Sequence, residues 1–384
     1  MKYLHVLTPN SVHPQNIIKF INKNFDKEDH TFLVLADENY VLKNNPRLYA
    51  FDNVIFSPVI NKTKFSRFKR MVFMMRLFSE YDNIIWHSFY GLMGLQMLFA
   101  VFQYRYKITW IEYGNDLYYW KQKSKKWIEM FLYEKICKEC KYFGTSLEYN
   151  QIYYNEKFNK RTKTFFLPTP LNEETVNYLK DYCCDIYNHD KKSIQVMIGA
   201  DGNRYNQHCK IVNLLKKYSA NKISFYIPIK YYMLYEYKLL VASKGYISDL
   251  IEYSKRVLKN PVIGLQKSNL DRDSYFRILN NIDIGVFYSD RPIYIDLLLY
   301  LLYLEKKIYL PKSSIIFNEL KHKGYKIYDT QSISNINWQE FISKNDLSEN
   351  KKLVEEYMSN DYLKKYWEIY FNYLEKEKLR LWKR

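Results

Sequence analysis

The stretch S-I-Q-V-M-I-G-A-D-G-N-R-Y-N-Q-H, residues 193–208, decides the fold class of this chain. Residues 193–198 carry four apolar side chains, three of them β-branched, and predict a short buried strand. A turn with two glycines follows, and a helical pattern begins directly after it. A strand that leads through a tight turn into a helix is the repeating unit of α/β domains, so we predict an α/β protein.

The same alternation extends in both directions from this stretch. Predicted strands share a short, apolar, β-rich composition and lie at 3–7, 31–36, 53–56, 83–86, 107–111, 141–144, 193–198, 222–227, 261–265, 283–288, 307–310 and 326–328. Predicted helices share apolar residues at helical spacing and lie at 15–24, 65–79, 92–104, 121–137, 146–155, 206–218, 231–243, 246–258, 272–280, 293–304 and 315–321. This pattern predicts two doubly wound parallel sheets, one in each half of the chain.

A polar, charge-mixed segment at 171–192 separates the two sets of strands. It predicts a Rossmann-like domain at 1–170, a linker at 171–192 and a second Rossmann-like domain at 193–348. The tail at 349–384 lacks glycine and proline and has apolar residues at helical spacing, so we expect helices that pack back across the domains. Ligands bind at the carboxyl ends of parallel strands, so we expect the two domains to face each other across a cleft that holds the site.

The chain is strongly basic, with 59 Lys and Arg residues against 41 Asp and Glu residues and a formal net charge of +18. A field of this sign favours nucleic acid, an anionic membrane surface or phosphate-bearing substrates. The lysine-rich codon usage of an AT-rich genome is an alternative source of part of this charge. The 40 tyrosines could stack nucleic-acid bases, but they are scattered through predicted core elements, and no RRM, KH or helix-turn-helix pattern accompanies them.

Residues 83–104 contain no charged side chain and are numerous enough to span a bilayer. His87 and Gly91 divide this segment, so a buried strand followed by a helix is the favoured interpretation. The five cysteines form an odd, sparse set, which predicts a reducing compartment. A zinc site at Cys137 and Cys140 is disfavoured because no second pair has ligand spacing. The first residues resemble a strand and not a secretory signal, so we expect a cytoplasmic protein.

The motif E-Y-G-N-D-L-Y, residues 112–118, directly follows a predicted strand. Gly114 favours a tight turn that projects its neighbours from the sheet edge. Glu112 and Asp116 are therefore candidates for a general base or for binding sugar hydroxyls. Asp116 is also suited to cap a helix, which is the alternative interpretation.

Two histidines lie just after early predicted strands, His13 after the first and His87 after the fourth. Either imidazole is a candidate base near neutral pH, with a structural role as the alternative for each. Both are expected at the edge of the first sheet that also carries the motif at 112–118.

The turn at 199–208 has features of a phosphate site. Its glycines let the backbone approach a ligand, and the helix that follows presents free N–H groups. Arg204 and His208 add charge-assisted donors. Arg291, after a later strand, could neutralise a diphosphate leaving group, with an exposed pair to Asp290 as the alternative. No strand is followed by G-x-G-x-x-G and no P-loop motif occurs, which disfavours dehydrogenases and P-loop NTPases.

These segments together resemble glycosyltransferase family 56, the TDP-4-acetamido-4,6-dideoxygalactose:lipid II transferases, also called 4-alpha-L-fucosyltransferases. W-I-E-Y-G-N-D-L-Y from Trp110 is similar to the family's W-H-I-W-G-A-D-L-Y, and L-P-T at 167–169 stands where the family has F-P-T. The turn at 199–208 is similar to G-N-S-G-D-R-S-N-E-H. Y-F-R-I-L-N-N-I-D-I-G-V-F from Tyr275 is similar to Y-L-A-L-L-R-Q-C-D-L-G-Y-F, with Arg291 in register.

The resemblance implies a GT-B fold and a metal-independent hexosyltransferase. It implies transfer of an acetamido-dideoxyhexose or related sugar from a dTDP- or UDP-linked donor to a lipid-linked saccharide or surface glycan in bacterial cell-envelope polysaccharide synthesis. The nucleotide-sugar is then a substrate, and neither a cofactor nor a nucleic-acid partner is expected. The implied donor-binding residues are Gly199, Gly202, Asn203, Arg204, Asn206, His208, Tyr288 and Arg291. The implied acceptor-side residues are His87, Gly114, Tyr118 and Thr169, with Asp116, Glu112 or His13 as the base.

One departure from the family keeps alternatives open. Where the family carries R-Q-Q-G-I-G-T-L, this chain has R-P-I-Y-I-D-L at 291–297, without the glycines and the threonine. A catalytically degenerate relative or a basic nucleic-acid-binding protein is therefore the alternative hypothesis. For the enzyme, the basic segment at 65–76 is the expected contact with an anionic membrane at its cytoplasmic face, with a solvated amphipathic helix as the alternative.

Overall fold

The computed structural model describes residues 1–8, 13–44, 46–58, 64–89, 95–118, 127–159, 161–171, 173–182, 193–229, 244–266, 271–289, 295–343 and 345–382. The chain divides into two compact units. The first comprises Met1–Glu173 with Met358–Arg384, and the second comprises Glu174–Tyr357. The domain boundaries drawn from the sequence, and the packing of the tail across both domains, stay predictions.

The first unit contains a parallel sheet of seven strands in the order β3-β2-β1-β4-β5-β6-β7. Its strands are β1 (Tyr3–Leu7), β2 (His30–Val34), β3 (Val54–Phe56), β4 (Asn83–His87), β5 (Ile108–Ile111), β6 (Tyr142–Thr145) and β7 (Lys163–Phe166). Its helices before the second unit are α1 (His13–Asn24), α2 (Glu38–Asn44), α3 (Lys64–Glu80), α4 (Leu95–Gln103), α5 (Asn115–Tyr118), α6 (Trp127–Glu139) and α7 (Glu148–Lys157). Because all neighbouring strands are parallel, their carboxyl ends share one edge of the sheet.

The second unit contains a parallel sheet of six strands in the order β10-β9-β8-β11-β12-β13. Its strands are β8 (Ile194–Ile198), β9 (Ile223–Ile229), β10 (Val262–Gln266), β11 (Ile284–Val286), β12 (Lys307–Leu310) and β13 (Tyr328–Asp329). The helices from here onward are α8 (Glu173–Tyr182), α9 (His208–Leu215), α10 (Lys244–Leu258), α11 (Arg272–Asn281), α12 (Ile295–Tyr303), α13 (Ile315–His322), α14 (Trp338–Ile342), α15 (Ser348–Met358) and α16 (Asn360–Trp382). The last of these, α16, lies in the first unit.

Apolar side chains cover both faces of the first sheet. One face packs against α3, α4 and α6, which contribute Met74, Val101 and Ile136 to a buried cluster. The other face packs against α1 and α16, and α16 buries Trp367 and Phe371 there. Burial of this apolar surface is the main favourable term in folding, so the end of the chain is part of the core of the first unit.

The structure confirms the predicted α/β class and the strands predicted from the sequence. It adds β7, an edge strand whose K-T-F-F sequence begins with two polar residues. It also adds the short helices α2, α5 and α14, and places α8 in the polar segment at 171–192. The predicted helix at 231–243 lies outside the described residues.

The uncharged segment at 83–104 forms β4 and then α4, as expected from its polar interruption. Within the described part of the chain, none of the helices combines the length and the apolar character needed to cross a bilayer. Cys137 and Cys140 are buried at the end of α6, where the Sγ atom of Cys140 lies 3.3 Å from the hydroxyl of Tyr154.

Candidate active site

Asp116 ties the carboxyl ends of β4 and β5 together. Its side chain is fully buried, and Oδ2 accepts hydrogen bonds from the backbone N–H of Phe89 and from Nε1–H of Trp110, both at 2.8 Å. Oδ1 accepts the backbone N–H of Tyr113 at 3.1 Å. A carboxylate that accepts three N–H donors is fixed in one orientation. Asp116 therefore orders the turn after β5, and its role as a base stays a prediction.

Glu112 lies beside this turn and is also buried. Its carboxylate accepts hydrogen bonds from the backbone N–H of Gly114 at 2.5 Å, from Nδ2–H of Asn150 at 2.6 Å and from the hydroxyl of Thr145. Burial raises the pKa of Glu112 to about 7, Asp116 acts in the same direction, and the three donors oppose the shift. A carboxyl group with a pKa near neutrality can take up a proton at the working pH, as a general base must.

The other acceptor-side predictions lie along the same sheet edge. Gly114 has φ +88°, a conformation that side-chain-bearing residues rarely adopt. Tyr118, in α5, donates its hydroxyl hydrogen to Oδ1 of Asn150 and so shares a partner with Glu112. Thr169 is half-buried after β7, and His13 begins α1. The structure thus brings Glu112, Gly114 and Tyr118 of the 112–118 motif into one hydrogen-bonded cluster. Thr169 follows β7 and His13 follows β1, so these two residues come after other strands of the sheet.

His87 belongs to a buried chain of three histidines. Its Nε2 lies 3.0 Å from Nδ1 of His5, and Nε2 of His5 lies 2.9 Å from Nδ1 of His30. The other ring nitrogen of His87 lies 3.0 Å from the hydroxyl of Tyr113. Burial lowers the pKa of all three rings, to about 4 for His30 and about 3 for His87. Each neutral ring has one donor and one acceptor, so the hydrogen bonds can all run in one direction.

In the second unit, the turn after β8 is held by its own side chains. Oδ1 of Asn206 accepts the backbone N–H of Ala200 at 3.0 Å, and Nδ2–H donates to Oδ1 of Asp201 at 2.6 Å. Oδ1 of Asn203 accepts the backbone N–H of Tyr205 at 3.3 Å. The two asparagines predicted to bind the donor therefore shape the turn.

Gly202 lies in the middle of this turn, against α10. A Cβ atom at this position would lie 2.9 Å from Cδ1 of Ile247. A side chain at this position would require the end of Ile247 to shift, which is a structural reason for glycine in addition to the predicted contact with a donor.

Gly199 and His208 meet at the start of α9. Gly199 has φ +69°, and a Cβ atom there would lie 2.8 Å from Nε2 of His208. His208 is fully buried, and its Nδ1 lies 3.1 Å from the hydroxyl of Tyr246. Burial lowers its pKa to about 4, and the backbone of Asp201 opposes this shift in part. Nε2 is buried without a hydrogen-bond partner among the described residues. Buried polar atoms are nearly always paired, so this nitrogen is a candidate contact for a water or ligand oxygen.

Two exposed cations lie near the same turn. The guanidinium of Arg204 lies 4.9 Å from the ring centre of Tyr246, and Nζ of Lys210 lies 5.1 Å from the ring centre of Tyr288. The structure thus brings the predicted Tyr288 to α9. Arg291 lies outside the described residues.

Several of these contacts were not predicted from the sequence. They involve His5, His30, Thr145 and Asn150 in the first unit and Lys210 and Tyr246 in the second. Strand alternation places His5 on one face of β1, but the diagonal contact with His87 depends on the register of Tyr3 with Asn83. No short motif marks that register. Within the described residues, no group of three or more His, Cys, Asp or Glu side chains could hold a metal ion.

A family model for glycosyl transferase group 56, the 4-alpha-L-fucosyltransferases, matches residues 1–371. The chain belongs to glycosyl transferase group 56. The match confirms the resemblance inferred from the motifs at 110–118 and 199–208. The protein is therefore a sugar-transferring enzyme, a hexosyltransferase. No curated protein sequence matches it significantly.

Solved structures share the GT-B fold of the group 56 enzyme. A glycosyltransferase from Rickettsia africae has a TM-score of 0.61 at 11% identity over 98% of each chain. Anabaena HepE in complex with UDP and glucose has a TM-score of 0.61 at 11% identity over 95% of this chain and 97% of HepE. UDP-GlcNAc 2-epimerase from Neisseria meningitidis bound to UDP-GlcNAc has a TM-score of 0.54 at 13% identity over 98% of this chain and 100% of the epimerase. These likenesses confirm the predicted fold.

Proposed function

We propose that the group 56 enzyme transfers an acetamido-dideoxyhexose, or a related sugar, from a dTDP- or UDP-linked donor to a lipid-linked saccharide. The reaction serves bacterial cell-envelope polysaccharide synthesis, and the enzyme works as a peripheral protein at the cytoplasmic face of the membrane. One observation carries the proposal: Nε2 of His208, buried without a hydrogen-bond partner among the described residues, faces Gly199 inside the motif shared with the family.

The turn at 199–208 and α9 offer a diphosphate several donors. When the Tyr246 hydroxyl donates to Nδ1 of His208, the ring proton stands on Nε2 and is free to donate to a phosphate oxygen. Arg204 and Lys210 add two positive charges near the start of α9. Such donors and cations stabilise the charge that develops on a leaving nucleoside diphosphate, so we propose transfer without a metal ion.

On the acceptor side we propose Glu112 as the base, because its pKa lies near neutrality. Its carboxylate takes the proton of the acceptor hydroxyl while that oxygen bonds to the anomeric carbon, and the bond from that carbon to the diphosphate oxygen breaks. With a pKa of about 7, it is ionised in a large fraction of molecules at neutral pH. Asp116 holds the turn, Tyr118 and His87 border it, and His13 is a second candidate base.

The test combines binding and turnover. Wild-type enzyme is incubated with dTDP, UDP or GDP and their sugars, and its melting temperature is recorded, since a ligand that binds only the folded state raises it. Each donor is then offered with a polyprenyl-diphosphate-linked saccharide, with and without EDTA, and products are identified by mass. We expect dTDP or UDP to stabilise the protein and glycosylated lipid to form in both conditions.

Two variants sharpen the test. His208→Ala should abolish the shift caused by dTDP or UDP, while His322→Ala, at an exposed histidine in the same unit, should keep it. Binding without any transfer would overturn the enzymatic proposal in favour of a degenerate relative. Stabilisation by oligonucleotides alone would overturn it in favour of a nucleic-acid-binding protein, and loss of product with EDTA would overturn metal independence.

A further inference from the structure

Three helices that cover one face of the first sheet expose large apolar side chains. Helix α4 packs between α3 and α6, and all three bury residues in the same cluster against the sheet. Their outer surfaces therefore adjoin one another. Among their described side chains, the large hydrophobic ones that are exposed are Phe68, Val72, Phe99, Trp127, Ile128 and Phe131.

Three of these side chains lie in the first two turns of their helices. Each helix ends a few residues before the next parallel strand begins, so each carboxyl end lies at the amino edge of the sheet and each amino end points to the carboxyl edge. Phe68, Phe99 and Phe131 are each the fifth residue of their helix. At the rise of an α-helix, each lies about 6 Å from its helix start. The exposed rings thus lie on the outer surfaces of three adjoining helices.

Helix α3 adds positive charge to this face. Helix α3 contains five Lys and Arg residues and one Glu, a net charge of +4. Lys69 and Arg76 are among its exposed side chains, and Trp127 is 78% exposed. Aromatic rings beside lysine and arginine are typical of surfaces that lie in the headgroup region of a bilayer. A second copy of a chain with a net charge of +18 would be repelled from this face, whereas anionic lipid is attracted.

We infer that the outer face of α3, α4 and α6, defined by Phe68, Val72, Phe99, Trp127 and Phe131, docks the enzyme on an anionic lipid surface. This inference rests on the proposed function, in which the acceptor is anchored in a membrane. Docking through this face holds the first unit at the membrane that carries the acceptor. It extends the expected contact at 65–76 to two further helices.

The experiment measures binding to vesicles of phosphatidylcholine alone and of phosphatidylcholine with phosphatidylglycerol. The test variant combines Phe68→Ser, Trp127→Ser and Phe131→Ser. The matched control combines Ile152→Ser, Ile369→Ser and Leu379→Ser, which are 53%, 53% and 61% exposed on α7 and α16. We expect the test variant to bind the anionic vesicles at least about tenfold more weakly than wild type, because its rings no longer enter the headgroup region. The control should bind like wild type.

Two further arms probe charge and contact. Lys69→Glu with Arg76→Glu should weaken binding to the anionic vesicles by about tenfold or more while leaving the weak binding to phosphatidylcholine unchanged. Brominated lipid should quench the tryptophan fluorescence of wild type, and Trp127→Phe should remove most of that quenching.

The far-ultraviolet circular dichroism and the ligand-free melting temperature of each variant serve as the folding check, because the substitutions lie in the first unit. Wild-type-like vesicle binding by a folded test variant would overturn the docking face. A test variant that changes a dimer to a monomer without loss of vesicle binding would also overturn it, in favour of a second copy as the occupant. If no donor supports transfer but the test variant still loses vesicle binding, the proposed function fails and the docking face stands.

Discussion

A Cβ atom on Gly199 would lie 2.8 Å from Nε2 of His208, closer than such atoms approach one another in folded proteins. Gly199 also has φ +69°, so a side chain there is strained as well as crowded. The contact keeps a backbone turn against an imidazole nitrogen that has no hydrogen-bond partner among the described residues. It is the relationship on which the proposed donor site depends.

Gly199→Ala should lower the free energy of unfolding by about 1–2 kcal/mol and abolish the nucleotide-induced rise in melting temperature, because the methyl group displaces His208. Gly324→Ala is the matched control. Gly324 has φ +88°, but its Cβ would meet nothing nearer than Leu353 at 3.8 Å. It should lose similar stability and keep the nucleotide effect. An equal loss of nucleotide binding in both variants would contradict the assignment.

Asp116→Asn should destabilise the first unit by about 2–3 kcal/mol, because the amide cannot accept three N–H donors and leaves buried donors unpaired. Urea denaturation measures the change. Asp37→Asn is the control, since its exposed Oδ1 accepts the backbone N–H of Tyr40 at 3.0 Å and asparagine caps equally well. Loss of turnover without loss of stability would instead identify Asp116 as the base.

The histidine chain should make the first unit less stable in acid. The folded pKa of His30 is about 4 and that of His87 about 3, while an unfolded histidine titrates near 6.5. Between these values the unfolded state binds more protons, so the free energy of unfolding falls as pH falls below about 6.5, by up to about 1.4 kcal/mol per pH unit for each histidine. Hydrogen exchange of the β1 and β4 amides at pH 7 and pH 5 measures this change.

Glu112 has the opposite effect on the free energy of unfolding. Its pKa is about 7 in the folded state and about 4.5 in the unfolded state, so between these pH values the folded state binds more protons. The free energy of unfolding therefore rises through this group as pH falls from about 7 to about 4.5. Between about pH 6.5 and 4.5 the buried histidines lower the free energy of unfolding by more than Glu112 raises it, so the net change as pH falls is a loss of stability. His30→Phe, which keeps the aromatic contacts with Tyr3 and Phe371, should reduce the pH dependence. His322→Asn, at an exposed position, should not.

Turnover should rise with pH through about 7 as Glu112 ionises. Glu112→Gln should lower kcat/KM by at least about a hundredfold while nucleotide binding persists. Thr145→Val removes a donor that stabilises the carboxylate, so it should raise the pKa of Glu112 and move the rise in kcat/KM to higher pH. A pH profile that is the same in wild type and Thr145→Val would rule out Glu112 as the titrating base.

Local patterns were sufficient for much of the fold. The apolar β-rich runs, the glycine turn at 199–208 and the spacing in the tail predicted strands and helices close to those of the structure. Strand β7 was not predicted, because an edge strand with half-exposed residues lacks a continuous apolar run. The motif at 112–118 was found because its residues are neighbours in the chain.

By itself, therefore, the sequence determined the α/β class, the sugar-transferase family and the two turns at which polar residues gather, because periodicity, glycine turns and motifs are local properties. Tertiary structure alone decided which side chains meet at those turns. His5 reaches His87 across 82 residues, Asn150 reaches Glu112 across 38, and Tyr246 reaches His208 across 38. These contacts depend on strand order and register. Burial of the side chains shifts their pKa values and, among the described residues, leaves Nε2 of His208 without a partner.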